Sequence, residues 1–462
     1  MVDTIPVRSP YDGHLISSVP ASTPADVDRA VGVAAGALAK GPLPQWQRAA
    51  VLDRAAAALA SRTEEYARTI AEEAAKPIKT ARVEAQRAIS TFQFAAVAAR
   101  TLAGEMVPMD ASAAGANKLG FTLRLPIGVL GAISPFNFPL NLVAHKIAPA
   151  IAAGCPVVLK PASQTPLSAL ALAQLLVEEC ELPAEQLQVV CGSGGTVGNA
   201  IVDHDGIAMI SFTGSPEVGW DIRARAARKK VGLELGNNAP LIIEPSADIA
   251  TAAQKVSVAG FSHAGQSCIS TQRIFVHEAV RDAFVDALVP LVEGLVVGDP
   301  LDERTDVSAL ISTGERDRVS DWVEEAVTAG AEVLAGGKVR EDGLLMPTVL
   351  GGVTPDMKVC ALEVFGPVVG LQTYSTLEDA LKMANATRYG LQAAIFTADL
   401  DDAMRAAYAL DFGGVLVNEV PTYRADQQPY GGVRDSGNTR EGPLWAVREM
   451  TEERVVIISL PG

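Results

Sequence analysis

GVLGAISPFNFPLNLVAHKIAPAIAAGCPVVLK, residues 128–160, reads as a short apolar strand, a turn, a helical segment over 141–153 and a second apolar strand. Strand, helix and strand in succession mark a parallel sheet, because parallel neighbours need a crossover rather than a tight turn. The alternation continues with a helical segment over 165–181, then LQVVC at 187–191 and AMISF at 208–212. A second series begins near Pro240 with PLIIE, RIFVH, PVVGLQ, AAIFT and VLVN. Two series predict two α/β units, the chain passing from one to the other between Gly232 and Pro240.

Outward from this centre, the N-terminal third is helical in pattern. Thr23 followed by Pro24 starts a helix whose apolar positions Val27, Ala30, Val31 and Ala34 recur at helical spacing. Trp46 to about Lys76 is rich in Ala, Arg and Glu and predicts two more helices. At the other end RVVIISL, residues 454–460, is an apolar strand with nothing after it to cover it, and pairing with another subunit is one reading.

The chain has 462 residues, too many for one core, and is 48% hydrophobic, which suits globular α/β material. A net charge of −16 leaves no basic stripe for nucleic acid. No apolar run reaches about 18 residues uninterrupted, so no membrane span is expected. The five cysteines are scattered without CxxC spacing and the five histidines lie far apart, so no metal site is expected. The N-terminus lacks the basic and apolar regions of a secretory signal, which makes a reducing cytoplasm the expected location.

Three residues stand out for chemistry. Cys268, in HAGQSCIS, lies among small polar residues, whereas the other four cysteines flank apolar runs or end a helical one. A thiolate there is the strongest nucleophile available, against the plainer reading of a small buried side chain. Glu234, in VGLELGNNAP, ends a strand between two leucines. Burial would raise its pKa toward a general base's range, the alternative being a paired strand-end carboxylate. Asn137, in SPFNFPL, is a rigidly placed amide suited to an oxyanion, or else a turn cap. CGSGGTVG at 191–198 and FTGS at 212–215 are Gly-rich turns after strands, the first departing from GxGxxG. Lys160, closing PVVLK, would reach hydroxyls or phosphates at the sheet's carboxyl end.

In this order, PFNFP, VVLKPASQTP, FTGS, LELGNNAP, GQSC and EVFGP strongly resemble the aldehyde dehydrogenase superfamily, from about residue 8 to the C-terminus. The resemblance implies an α/β fold of two Rossmann-like open-sheet domains plus a small β oligomerisation element. Residues 1–107 and 127–235 would bind the cofactor, 236–436 would be catalytic, and 108–126 with 437–462 would bridge subunits. It implies NAD or NADP as cofactor and an aldehyde oxidised to its acid through a Cys268 thioester. Asn137 and the Cys268 backbone N–H would form the oxyanion hole, and Glu234 would activate water. Lys160 and Ser163 would face the adenosine ribose and Glu363 the nicotinamide ribose, with Phe365 near the nicotinamide. Gly194, Gly198, Gly214 and Ser215 would line the pyrophosphate region after Phe212, and Ile133, Ser134, Pro135 and Phe136 would run beside the cofactor. A homodimer or homotetramer is implied, with strand 454–460 joining a neighbour's sheet. The N-terminus is read as lacking the first strand that many members carry.

Ser163 stands where many NAD-preferring members carry Glu, so repulsion of a 2′-phosphate is absent and NADP use is expected. LELGNNAP has Asn238 where LELGGK is commonest, without a physical account. YRADQQPYGGVRDSG, residues 423–437, resembles a subgroup with lactaldehyde and phosphonoaldehyde dehydrogenases. Arg424, His145 and Asn141 then fall in the substrate pocket, where Arg424 would hold an anionic group, unless it is a surface arginine in a loop. A small polar or anionic aldehyde is therefore expected. The alternatives are a semialdehyde derived from an amino acid, or a catalytically silent binding protein on the same fold.

Overall fold

The structure, a computed structural model, describes residues 3–461. Residues 1, 2 and 462 of the expected domain bounds lie outside it. The expected runs assemble into two open sheets. The first is wholly parallel, with Leu187–Val189, Val157–Lys160, Val129–Ile133, Ile207–Thr213 and Lys230–Glu234 in that spatial order. The second has seven strands in the order Glu332–Ala335, Thr348–Gly351, Val368–Tyr374, Thr271–His277, Ala239–Ile243, Gln392–Phe396 and Gly414–Val417. Only its first pair is antiparallel. The crossing falls between Glu234 and Ala239, inside the expected interval.

Helix α1 (Pro24–Ala39) begins with a capping box in which Thr23 and Asp26 satisfy each other's backbone N–H. Helices α2 (Gln45–Ser61) and α3 (Thr63–Ala74) fill the Ala-rich stretch. A long α4 (Ile78–Thr101), which the sequence reading did not single out, packs on α2 and on α5 (Asn141–Ala153). With α6 (Leu167–Glu178) they share one core with the first sheet. Alanine at Ala81, Ala85, Ala88, Ala95 and Ala99 of α4 lets these helices approach closely.

One terminal reading changes. The N-terminus does form a strand: Thr4–Arg8 and Leu15–Pro20 make an antiparallel hairpin whose Val7 and Val19 bury against Cys191. Its turn passes through Gly13 at φ 77°. The C-terminal strand, Thr451–Ser459, pairs within its own chain along the whole of Lys118–Pro126. Met106–Val107, just ahead of the expected bound at 108, completes this three-stranded sheet. No helix among the described residues is long and apolar enough to cross a membrane.

Candidate active site

Strand register alone gathers the cofactor-side candidates. Ile133 lies level with Lys160 on one side and with Phe212 on the other, and Thr213 pairs with Glu234. All five stand at the carboxyl end of the parallel sheet, the edge where open α/β sheets bind ligands. Beyond it, Ser134 N–H donates to the Lys160 carbonyl at 3.1 Å. Among the described residues the Lys160 amine donates only to the Pro161 carbonyl, at 3.1 Å, and the side chain lies against Gly198. Ser163 Oγ donates to the Gly192 carbonyl at 2.8 Å, joining the two expected loops. Gly194 opens a single helical turn capped by Ser193, and a Cβ there would meet nothing within 4 Å. Ser215 caps the helix Pro216–Arg225, and at Gly214 a Cβ would strike the Phe212 ring. This surface of two helix starts, bare glycines, one buried lysine and the unpartnered buried hydroxyl of Ser134 fits a dinucleotide.

Across the cleft, Glu363 accepts the Asn237 N–H at 2.9 Å, and burial pushes its carboxyl up to about 8. It passes so close to Gly236 that a Cβ there would sit 2.2 Å from the carboxylate. Phe365 holds a positive φ of 50° and meets Phe136 edge to face at 5.8 Å. A bulky residue in the left-handed region stores strain of a kind found at ligand clamps.

The nucleophile candidate follows a run of three left-handed residues, His263, Ala264 and Gly265, at φ 51°, 53° and 70°. Gly265 has no alternative, since a Cβ would lie 2.1 Å from the Gly366 carbonyl. The run throws Cys268 out of the core, half-buried, while Cys155, Cys180, Cys191 and Cys360 are buried. Burial pushes the Cys268 thiol up to about 12, opposed by a hydrogen bond with the Tyr430 hydroxyl at 3.0 Å. Asn137 Nδ2 donates one hydrogen to the Gln266 carbonyl at 2.9 Å. The amide is thereby tied to the cysteine loop and its second N–H is left free.

Glu234 is 4% exposed and neither carboxylate oxygen has a hydrogen-bond partner among the described residues. Burial, then Glu441, holds it well above the ordinary carboxylate range. Gly431 makes room, because a Cβ there would stand 2.7 Å from Oε1. Glu441 behaves oppositely: burial would raise it, but Arg424 and Lys146 outweigh that and hold it at about 2. Lys146 reaches Thr213 Oγ1 at 2.7 Å and Glu441 Oε1 at 3.6 Å. Two neighbouring carboxylates are driven apart in pKa, a pattern that separates a proton acceptor from a permanent anion. Sequence reading passed over Lys146 and Glu441. The signal for Lys146 was present, a lone lysine inside the apolar helix NLVAHKIAPAIAA.

Arg424, a substrate-pocket candidate, is no surface residue. Its side chain is 5% exposed, donates to Glu441 at 2.8 Å and lies 3.8 Å over the Tyr430 ring. Asn141 and His145 are buried on α5, both in hydrogen-bond contact with the Thr91 hydroxyl. His145 also meets Asp426 at 3.1 Å, and Arg87 reaches the same carboxylate oxygen at 2.8 Å. These two therefore brace the loop that carries Arg424. Arg87 and Asp426 had no sequence signal, because only folding brings α4 beside residue 426.

The aldehyde dehydrogenase family model matches residues 2–456. The chain is 45% identical over 454 residues to a 3-sulfolactaldehyde dehydrogenase of Priestia aryabhattai, covering 98% of this chain and 94% of that protein. It is 39% identical over 415 residues to a lactaldehyde dehydrogenase of Methanococcus maripaludis, covering 89% and 88%. Aldehyde dehydrogenase 21 from Physcomitrella patens, solved with its reaction product succinate, superposes with a TM-score of 0.95 at 41% identity, over 99% of this chain and 95% of that one. A glyceraldehyde-3-phosphate dehydrogenase from Methanocaldococcus jannaschii, solved with NADP, gives 0.95 at 39% identity over 99% of both chains. With the match spanning nearly every residue, and with a dinucleotide surface facing a cysteine and a buried carboxylate, the chain belongs to the aldehyde dehydrogenase family and is an NAD(P)-dependent enzyme that oxidises aldehydes to acids.

Proposed function

We propose that the substrate is a small aldehyde bearing a polar or anionic group, and that Cys268, Asn137 and Glu234 carry the chemistry. The observation behind the substrate class is Arg424. It is buried, it keeps its proton, and its Nε has no partner among the described residues. A guanidinium has donors to spare after Glu441 takes one, enough for a paired contact with a carboxylate or sulfonate. The relatives named for lactaldehyde and sulfolactaldehyde, and the structure holding succinate, support this reading. Asn141 and His145 shape the pocket floor.

In the reaction, Cys268 loses its thiol proton to water and Sγ adds as the thiolate to the carbonyl carbon, the oxyanion accepting the free N–H of Asn137 and the backbone N–H of Cys268. NAD(P)+ supplies the hydride acceptor when bound. Lys160 and Ser163 would hold the adenosine ribose, and Gly194, Gly198, Gly214 and Ser215 would admit the pyrophosphate. Glu363 would accept from the nicotinamide ribose, while Ile133, Ser134, Pro135, Phe136, Phe212 and Phe365 would wall the slot. Glu234 then takes a proton from the water that attacks the thioester, and the acid leaves.

Residues 1–107 and 127–235 serve as the cofactor domain, 236–436 as the catalytic domain, and 108–126 with 437–462 as the bridge of a homodimer or homotetramer. The apolar residues Val455, Ile457 and Ile458, all more than 40% exposed on the edge strand of that bridge, support the assembly. Five unpaired cysteines fit a cytoplasmic enzyme.

Cofactor reduction with lactaldehyde, 3-sulfolactaldehyde, succinate semialdehyde and hexanal tests the substrate class. Arg424→Gln is expected to raise KM at least tenfold more for the anionic aldehydes than for hexanal. Equal effects on all four would remove Arg424 from the substrate site.

A further inference from the structure

We propose that Tyr430 is a catalytic residue, its hydroxyl donating to the Cys268 sulfur and stabilising it as a thiolate both when it attacks and when it is expelled. The inference rests on Cys268 being the nucleophile. The phenol oxygen lies 3.0 Å from Sγ, and Cys268 is its only side-chain hydrogen-bond partner among the described residues. Tyr430 is 3% exposed and packs with Ile269, Leu391 and Cys268 in a small cluster of its own. Its backbone is clamped from both sides: its N–H donates to the Glu441 carbonyl at 3.1 Å, and the Glu441 N–H donates back at 2.6 Å. The hydroxyl is therefore delivered to the sulfur by a fixed strand contact rather than by a mobile side chain.

Two features set the direction of that hydrogen bond. Burial keeps the phenol protonated far above its ordinary range, so it has a hydrogen to give, and a thiolate can only accept. The Arg424 guanidinium over the ring draws electron density from it and makes the O–H a stronger donor. No proton changes hands. As Sγ bonds to the carbonyl carbon its lone pair is used and the O–H contact weakens. When water has added and the C–S bond breaks, the bonding pair returns to sulfur and the O–H contact re-forms. The segment that carries the hydrolytic cluster, Arg424 to Glu441, thus also holds the nucleophile's partner.

The test is the pH dependence of Cys268 alkylation by iodoacetamide, read by mass spectrometry of its peptide, in wild type and Tyr430→Phe. The other four cysteines are buried and serve as internal controls. Loss of a hydrogen bond to a charged atom should move the midpoint up by about one pH unit. The burst of cofactor reduction should slow by about tenfold at neutral pH in parallel. A second arm needs no mutation: incorporation of fluorotyrosine makes the phenol a better donor at constant shape, and should move the midpoint down. An unchanged midpoint in both arms overturns the proposal. Aldehyde oxidation that survives Cys268→Ala instead overturns the nucleophile assignment beneath it.

Discussion

Glu234 ends a buried strand with no hydrogen-bond partner for either oxygen among the described residues, and its behaviour with pH follows from that placement. An acid whose pKa is raised is protonated, and useless as a base, over the lower part of the pH range. Hydrolysis of the thioester should therefore accelerate as pH rises, and do so above the ordinary carboxylate range, measured as acid released in a single turnover. Glu234→Gln should halt after about one equivalent of reduced cofactor, with the acyl group left on Cys268. Asn137→Ala should lower kcat by roughly a hundredfold or more with little change in KM, as expected for a donor used only in the transition state. Ser163→Glu should reduce kcat/KM for NADP at least tenfold and spare NAD, since a carboxylate facing the ribose repels a 2′-phosphate. Equal losses for both cofactors would show that residue 163 does not face the ribose.

Between elements, a buried charged cluster ties the helical layer to the catalytic loops. Lys76, between α3 and α4, is fully buried, pairs with Glu84 and donates to the Asn137 carbonyl at 2.6 Å. Glu84 accepts from the Leu140 and Asn141 N–H groups at the start of α5, and Glu73 accepts from Leu167 and Ser168 at the start of α6. Each carboxylate satisfies helix-end donors that burial would otherwise leave bare. Lys76→Met strands Glu84 and should cost about 3–5 kcal/mol by denaturant unfolding, whereas Lys76→Met with Glu84→Gln should cost less. Glu73 carries a pH signature. Burial raises it to about 7 from an unfolded value near 4.5, so its contribution is complete below 4.5 and is lost as pH rises through 7. Glu73→Gln should accordingly gain stability relative to wild type between pH 5 and pH 8. A constant difference would mean that Glu73 is ionised throughout.

At the scale of the molecule, the three-stranded sheet is the exposed feature that folding leaves unfinished. Thr451–Ser459 is covered along one edge by Lys118–Pro126, and its other edge has no partner among the described residues. A long apolar edge strand invites pairing with another chain. Ile457→Glu should shift the particle mass toward the monomer in light scattering after gel filtration. An unchanged mass would move the interface elsewhere.

Much of this was written in the sequence, where the physics is local. Short apolar runs separated by helical stretches determined two open, largely parallel sheets, and Thr23 with Pro24 marked the start of α1 to the residue. Cys268, Glu234 and Asn137 were legible because each breaks the pattern around it: a thiol among small polar residues, a carboxylate between leucines, an amide between phenylalanines. The N-terminal hairpin was not legible, since only Val7 and Val19 are buried and each finds its partner surface some 170 residues away. Lys76, Arg87, Glu441 and Tyr430 were invisible for a related reason. Their roles come from contacts made across the chain, and a lysine, an arginine, a glutamate or a tyrosine has nothing in its neighbouring residues to announce them. Sequence determined which groups the enzyme owns and on which element each rides. Tertiary structure decided which of them are stripped of water together, and that shared burial sets the charge state of Glu234 and Glu441 and the hydrogen-bond partner of Cys268.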